Sequence, residues 1–249
     1  MVKTHTDSYR FAMTQHMRTP TVESVPLGIG YYTVPEAARL LRIPGRNINR
    51  WLGGYSYKRD GIETKMPPLW EPELPGFGNH NELGFRDLIE LRFVKAFLDA
   101  DLGLLTIRNC ITFARECVSD DRPFSTRRFQ TDGRTIFLDS LKRSGDTELL
   151  DLKRRQYVFK AAIERTFKDL DITDDAVTRW RPFQGKASIV IDPTRAFGQP
   201  IATDYGVPTV ALAEAVAAEG SAKRVAFLYD VPLRVVNDAV QFETDLRAA

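Results

Sequence analysis

Cysteine, histidine and net charge are all scarce in this chain. It has two cysteines, Cys110 and Cys117, and three histidines, His5, His16 and His80. The cysteines sit about two turns apart in a helical pattern, too far for a disulfide. They read as buried thiols of a reducing compartment, and their spacing matches no metal site, so neither metal nor cofactor is expected. Ser-His-Asp order, paired carboxylates and a nucleotide fingerprint are missing too, which argues against an enzyme. Gly76 to Gly84 is glycine-rich but lacks the lysine and Ser/Thr of a phosphate loop. No apolar run approaches the ~20 residues that span a bilayer. The first twenty residues hold no apolar core of a secretory signal, so a cytoplasmic chain without membrane partners is expected. The net charge is +2, so affinity for nucleic acid has to come from local clustering.

What the chain does have is the composition of a folded protein, 43% hydrophobic and 27% charged over 249 residues. That length allows one large domain or two to three small ones. The most informative stretch is Tyr32 to Trp51, YTVPEAARLLRIPGRNINRW. Thr33 and Glu36 form a capping box, with Pro35 inside the first turn where its missing N–H costs nothing. Val34, Ala37, Ala38, Leu40 and Leu41 give an apolar helical face. Ile43-Pro44-Gly45 breaks the helix. A second helix, roughly Gly45 to Leu52, turns Ile48, Trp51 and Leu52 inward and leaves Arg46, Asn47, Asn49 and Arg50 outward. Two short helices with a tight turn and an Arg/Asn-studded second helix describe a helix-turn-helix. Arginine pairs with guanine edges, asparagine with adenine, and both grip phosphates. The competing reading is a helical hairpin with a wet face. The charges favour DNA: Arg39, Arg42, Arg46 and Arg50 against Glu36.

Residues 1–30 form a polar arm. Gly53 to Gly84 is turn-rich and occupies the place of a wing, with Met66–Trp70 and Leu83–Phe85 expected as strands at its base. Tyr55, Tyr57, Lys58, Arg59 and Lys65 lie on it, suited to phosphate contacts. Phe85 to Ala100 is an amphipathic helix ended by Gly103, and Leu105 to Val118 is another, capped by Thr106. Arg127 to Asp139 alternates around Asp132-Gly133, which predicts a β-hairpin. A helix through Ala161 to Phe167 follows, and then a boundary near Trp180 to Gly185. Short strands are expected at Ile189–Ile191 and Gln199–Ala202. Three helices close the chain: Thr209 to Ala218 (capped by Thr209), Ala222 to Tyr229, and Leu233 to Leu246. Their acids balance their bases, which points to protein binding or pairing rather than DNA. The fold class is mainly α with small β elements. The expected units are an arm (1–30), a winged helix-turn-helix (31–120), a hairpin and helical connector (121–185) and a trihelical module (186–249).

Two resemblances add to this reading. YTVPEAARLL, the wing, and the helix start Phe85, Asp87, Leu88, Leu91 resemble the MerR-like winged helix. The C-terminal IDP, GQPI, VPTV, LYDVP and VVNDAVQFE resemble the small trihelical domain of VapB-type antitoxins. Together they cover over half the chain. The resemblance implies a homodimeric antitoxin that silences a PIN-like ribonuclease toxin and represses its own operon by binding operator DNA. The metal-sensing cysteines of MerR regulators are missing, so metal sensing is not implied. The residues expected to meet DNA are Thr33, Arg46, Asn47, Asn49, Arg50, Tyr55, Lys58 and Arg59. The alternative is a stand-alone MerR-like regulator whose C-terminal module only dimerises.

Overall fold

The computed structural model describes residues 28–59, 61–74, 76, 81–144 and 149–248. Most of the 1–30 arm, with His5 and His16, lies outside them, as does His80. The described chain is mainly helical with small antiparallel sheets.

It begins with β1 (Tyr32–Thr33) and α1 (Val34–Leu41). Arg42, at φ 55°, ends α1 in the left-handed conformation, and after Ile43-Pro44 the chain re-enters α2 (Gly45–Gly53). β2 (Tyr55–Arg59) and β3 (Ile62–Met66) pair antiparallel with Arg59 opposite Ile62, and Gly61 takes φ +81°. These are the strands of the hairpin, upstream of the expected Met66–Trp70. Alternation of Tyr55 and Tyr57 with Ser56 and Lys58 suits a two-sided ribbon, whereas Leu69 and Trp70 are drawn into the core. Leu83 does join a strand, β4 (Glu82–Leu83), but it pairs with β1.

Next come α3 (Phe85–Asp99) and α4 (Leu104–Val118). α3 ends at Asp99 with Ala100 as its C-cap, and Gly103 is the N-cap of α4 rather than the end of α3; Thr106 lies within α4 and does not cap it. The expected hairpin at 127–139 is instead helix α5 (Arg127–Arg143). Thr126 caps it by accepting from Phe129 N at 3.1 Å. Phe129, Gly133, Ile136, Phe137, Ser140 and Leu141 are buried along one face, spacings of three and four that outweigh the local turn signal. Gly133 serves close packing, not a turn, because a Cβ there would stand 2.9 Å from Ile163 Cδ1.

Ile163 belongs to α6 (Leu149–Phe167). Beyond it β5 (Leu170–Thr173), β6 (Ala176–Trp180), β7 (Ile189–Ile191) and β8 (Pro200–Ala202) form an antiparallel meander. α7 (Thr209–Glu219), α8 (Ala222–Leu228) and α9 (Leu233–Arg247) follow within a residue or two of expectation. Thr209 does not cap α7; its buried hydroxyl donates to Glu243 Oε1 at 2.5 Å, tying α7 to α9.

One apolar cluster runs from Tyr32 to Ile191 and includes α1 to α6. Phenylalanines fill its centre. Phe137 and Phe159 stack at 3.9 Å between centroids, and Phe159 stacks on Phe97 at 4.5 Å. Leu40 of α1 packs against Phe183, Ile189, Phe242 and Leu246, so the first helix rests on the last. Tyr32 adds a second tie, its hydroxyl donating to Gly198 O at 2.8 Å. Gly198 has φ +82°, and a Cβ there would meet the Tyr32 hydroxyl at 2.3 Å, so only glycine fits.

Candidate nucleic-acid interface

The expected cap forms at the start of α1. Thr33 N and Oγ1 both donate to Glu36 Oε2, at 2.8 and 2.7 Å, and Glu36 N donates back to Thr33 Oγ1 at 3.4 Å. The Thr33 hydroxyl is therefore spent within the chain. On α2 the amphipathic pattern puts Ile48, Trp51 and Leu52 in the core, with Arg46, Asn49 and Arg50 exposed and Asn47 half-buried. Arg50 stacks its guanidinium 3.7 Å from the Tyr55 ring centroid, bringing α2 and the hairpin together. Asn49 Oδ1 accepts from Asn81 Nδ2 at 3.3 Å. Lys58 is exposed on β2 opposite Glu63, and of Arg59 only its strand position is described.

Electrostatics favour an anionic partner here. Among the described residues from 33 to 66, Arg39, Arg42, Arg46, Arg50, Lys58 and Lys65 are exposed, against the single exposed acid Glu63. Glu36 is held in the cap.

A buried polar hub braces this face, and sequence reasoning missed it. Asp87, fully buried at the start of α3, accepts from Trp70 Nε1 (3.0 Å), Arg122 Nε (2.8 Å), Glu73 N (2.7 Å) and Gly84 N (3.0 Å). It fastens both ends of the loop that follows the hairpin. Leu69 N donates to Trp51 O at 2.7 Å and Arg108 Nη1 to Pro68 O at 2.9 Å, completing the attachment to α2 and α4. An acid three residues after Gly84 was the available signal, since it marks a helix start; Arg122 carried none. Glu90 lies beside this hub, accepting from Ser125 N (2.8 Å) and Phe124 N (3.3 Å). Burial pushes its carboxyl up to about 8, against the pull of those N–H groups and of Arg86. Among the described residues no cluster of three or more His, Cys, Asp or Glu could hold a metal, and no helix is long and apolar enough to cross a membrane.

No protein-family model matches the chain. A Mycobacterium tuberculosis (strain ATCC 25618 / H37Rv) protein provisionally named antitoxin VapB45 is 27% identical over 220 residues, covering 84% of this chain and 92% of that protein. This chain is its distant relative. The crystal structure of Rv2018 from Mycobacterium tuberculosis matches with a TM-score of 0.68, over 87% of this chain and 99% of that one, at 24% identity. At that identity the likeness is one of fold.

Proposed function

We propose that this chain is an antitoxin that binds and neutralises a PIN-like ribonuclease toxin and represses its own operon as a homodimer. Kinship to the VapB45-named protein supports the antitoxin role. The DNA-binding role rests on one observation, the exposed cationic face shared by α2 and the β2–β3 hairpin. In this reading α1 and α2 are the helix-turn-helix of a MerR-like winged domain and β2–β3 is its wing. α2 enters the major groove, where Arg46, Asn47, Asn49 and Arg50 meet bases and phosphates, while Tyr55, Lys58 and Arg59 follow the backbone. Thr33, with its hydroxyl closed in the cap, positions α1.

Fluorescence anisotropy with the chain's own promoter tests the DNA assignment. Arg50→Ala should cost about 1–3 kcal/mol, roughly 5- to 150-fold in Kd, and relax specificity at one position. Wild-type affinity should fall steeply with salt. Unchanged affinity after Arg46→Ala and Arg50→Ala together would sink the assignment. Co-expression with the adjacent reading frame tests the antitoxin role through co-elution and rescue of growth. No complex and no toxicity would leave a DNA-binding regulator whose C-terminal helices pair two copies.

A further inference from the structure

The DNA reading leaves one corner of the C-terminal helices unused. Ser188, just before β7, and Thr203, just after β8, face each other across the strand pair, with Thr203 N donating to Ser188 O at 3.1 Å. Both hydroxyl oxygens are buried, and neither has a hydrogen-bond partner among the described residues. Together with Lys186, Tyr205, Arg234 and Asp238 they line a cavity of about 290 Å³. An unsatisfied buried hydroxyl is destabilising, so two in one cavity mark a place where a polar group belongs.

The remaining groups set the sign of that group. The Asp238 carboxylate accepts from Lys186 Nζ at 3.3 Å and is already matched. Ser188, Thr203, Tyr205 and Arg234 are left able to donate, against the exposed carboxylate of Asp204 at the rim. Arg234 has no hydrogen-bond or ion-pair partner among the described residues, its fork suits a carboxylate bidentately, and the Ser188 and Thr203 hydroxyls can turn their protons toward the same group.

The adjoining surface decides the source. Leu233 precedes Arg234 on the first turn of α9 and is 43% exposed. Phe227 is 86% exposed, Leu228 56% and Tyr229 41%, all at the end of α8. Surfaces that face nucleic acid are polar and cationic. Large apolar side chains left exposed at the end of α8 and at the start of α9 mark protein contact.

We propose that this corner docks a partner protein, which inserts an Asp or Glu side chain into the cavity and covers the Phe227–Leu233 ridge with apolar residues. Taking that partner to be the toxin rests on the antitoxin reading. Two experiments separate the claims. In the first, the ¹⁵N-labelled full chain is titrated with glutarate and, separately, with inorganic phosphate. Glutarate should produce saturable shifts at the Ser188, Thr203 and Arg234 amides, abolished by Arg234→Ala and weakened by Ser188→Ala, with the rest of each spectrum unchanged. No saturable glutarate shift overturns the site, whatever the chain's function. Saturation by phosphate alone overturns the carboxylate assignment in favour of a nucleic-acid backbone.

In the second experiment, the chain is co-expressed with the product of the adjacent reading frame. The variant Phe227→Ser/Leu233→Ser/Arg234→Ala should weaken the complex at least tenfold while operator affinity is kept. A wild-type complex that the variant leaves intact overturns the docking site but not the antitoxin role. Absence of any wild-type complex overturns the antitoxin role and the partner's identity together, and the glutarate titration then decides the site alone.

Discussion

Asp87→Asn offers the sharpest test of how the candidate interface is braced. Oδ1 accepts from Trp70 Nε1 and Arg122 Nε, and Oδ2 from Glu73 N and Gly84 N. An amide has one acceptor oxygen, so in either orientation its NH₂ faces two donors. The substitution also removes the counter-charge of Arg122, whose side chain is 13% exposed against 0% for Asp87. Breaking a buried pair from one side costs about 3–5 kcal/mol. At about 2–4 °C per kcal/mol for a chain of this size, Tm should fall by roughly 6–20 °C. Thermal unfolding followed by circular dichroism measures that fall. A double-mutant cycle with Arg122→Met isolates the pair, since the Met variant leaves no stranded cation. The double variant should be about 2 kcal/mol more stable than the sum of the single losses implies. A loss under about 1 kcal/mol for Asp87→Asn, or additivity within about 0.5 kcal/mol, would refute the hub.

Other consequences can be checked separately. Phe159→Ala removes a ring stacked on both Phe137 and Phe97, and should cost about 3–5 kcal/mol in urea unfolding. Glu90 should make the fold prefer acid. Its carboxyl is raised from 4.5 to about 8, so the folded state holds a proton that the unfolded state releases between those values. The associated stability is fully present below about pH 4.5 and is lost as pH rises through about 8. Glu90→Gln should flatten that slope, and identical slopes for the two proteins would contradict it. Burial pushes the Cys110 thiol up to about 12, while Cys117 is half-buried. A thiol reagent should therefore modify Cys117 in the native protein and reach Cys110 only after unfolding.

The sequence by itself determined the elements whose causes are local. The Thr33–Glu36 box, the break at Ile43-Pro44, and the outward Arg46, Asn49 and Arg50 on a helix anchored by Ile48, Trp51 and Leu52 follow from caps, proline and a 3.6-residue period. So do the breaks between the last three helices, because Gly220 and Pro232 act within a residue or two of where they sit. Tertiary structure decided wherever two local signals competed or a partner came from far along the chain. Asp132-Gly133 is a turn signal, yet burial of Phe129, Ile136 and Phe137 against α6 made that stretch a helix, with Gly133 admitting Ile163. Asp87 could be read as a helix start, but nothing local joins it to Arg122 thirty-five positions away. Nothing local joins Ser188 to Thr203 either; pairing of β7 with β8, and the packing of α9, bring the two hydroxyls to one cavity. A local rule spans one turn of chain, whereas burial is set by everything that folds against it.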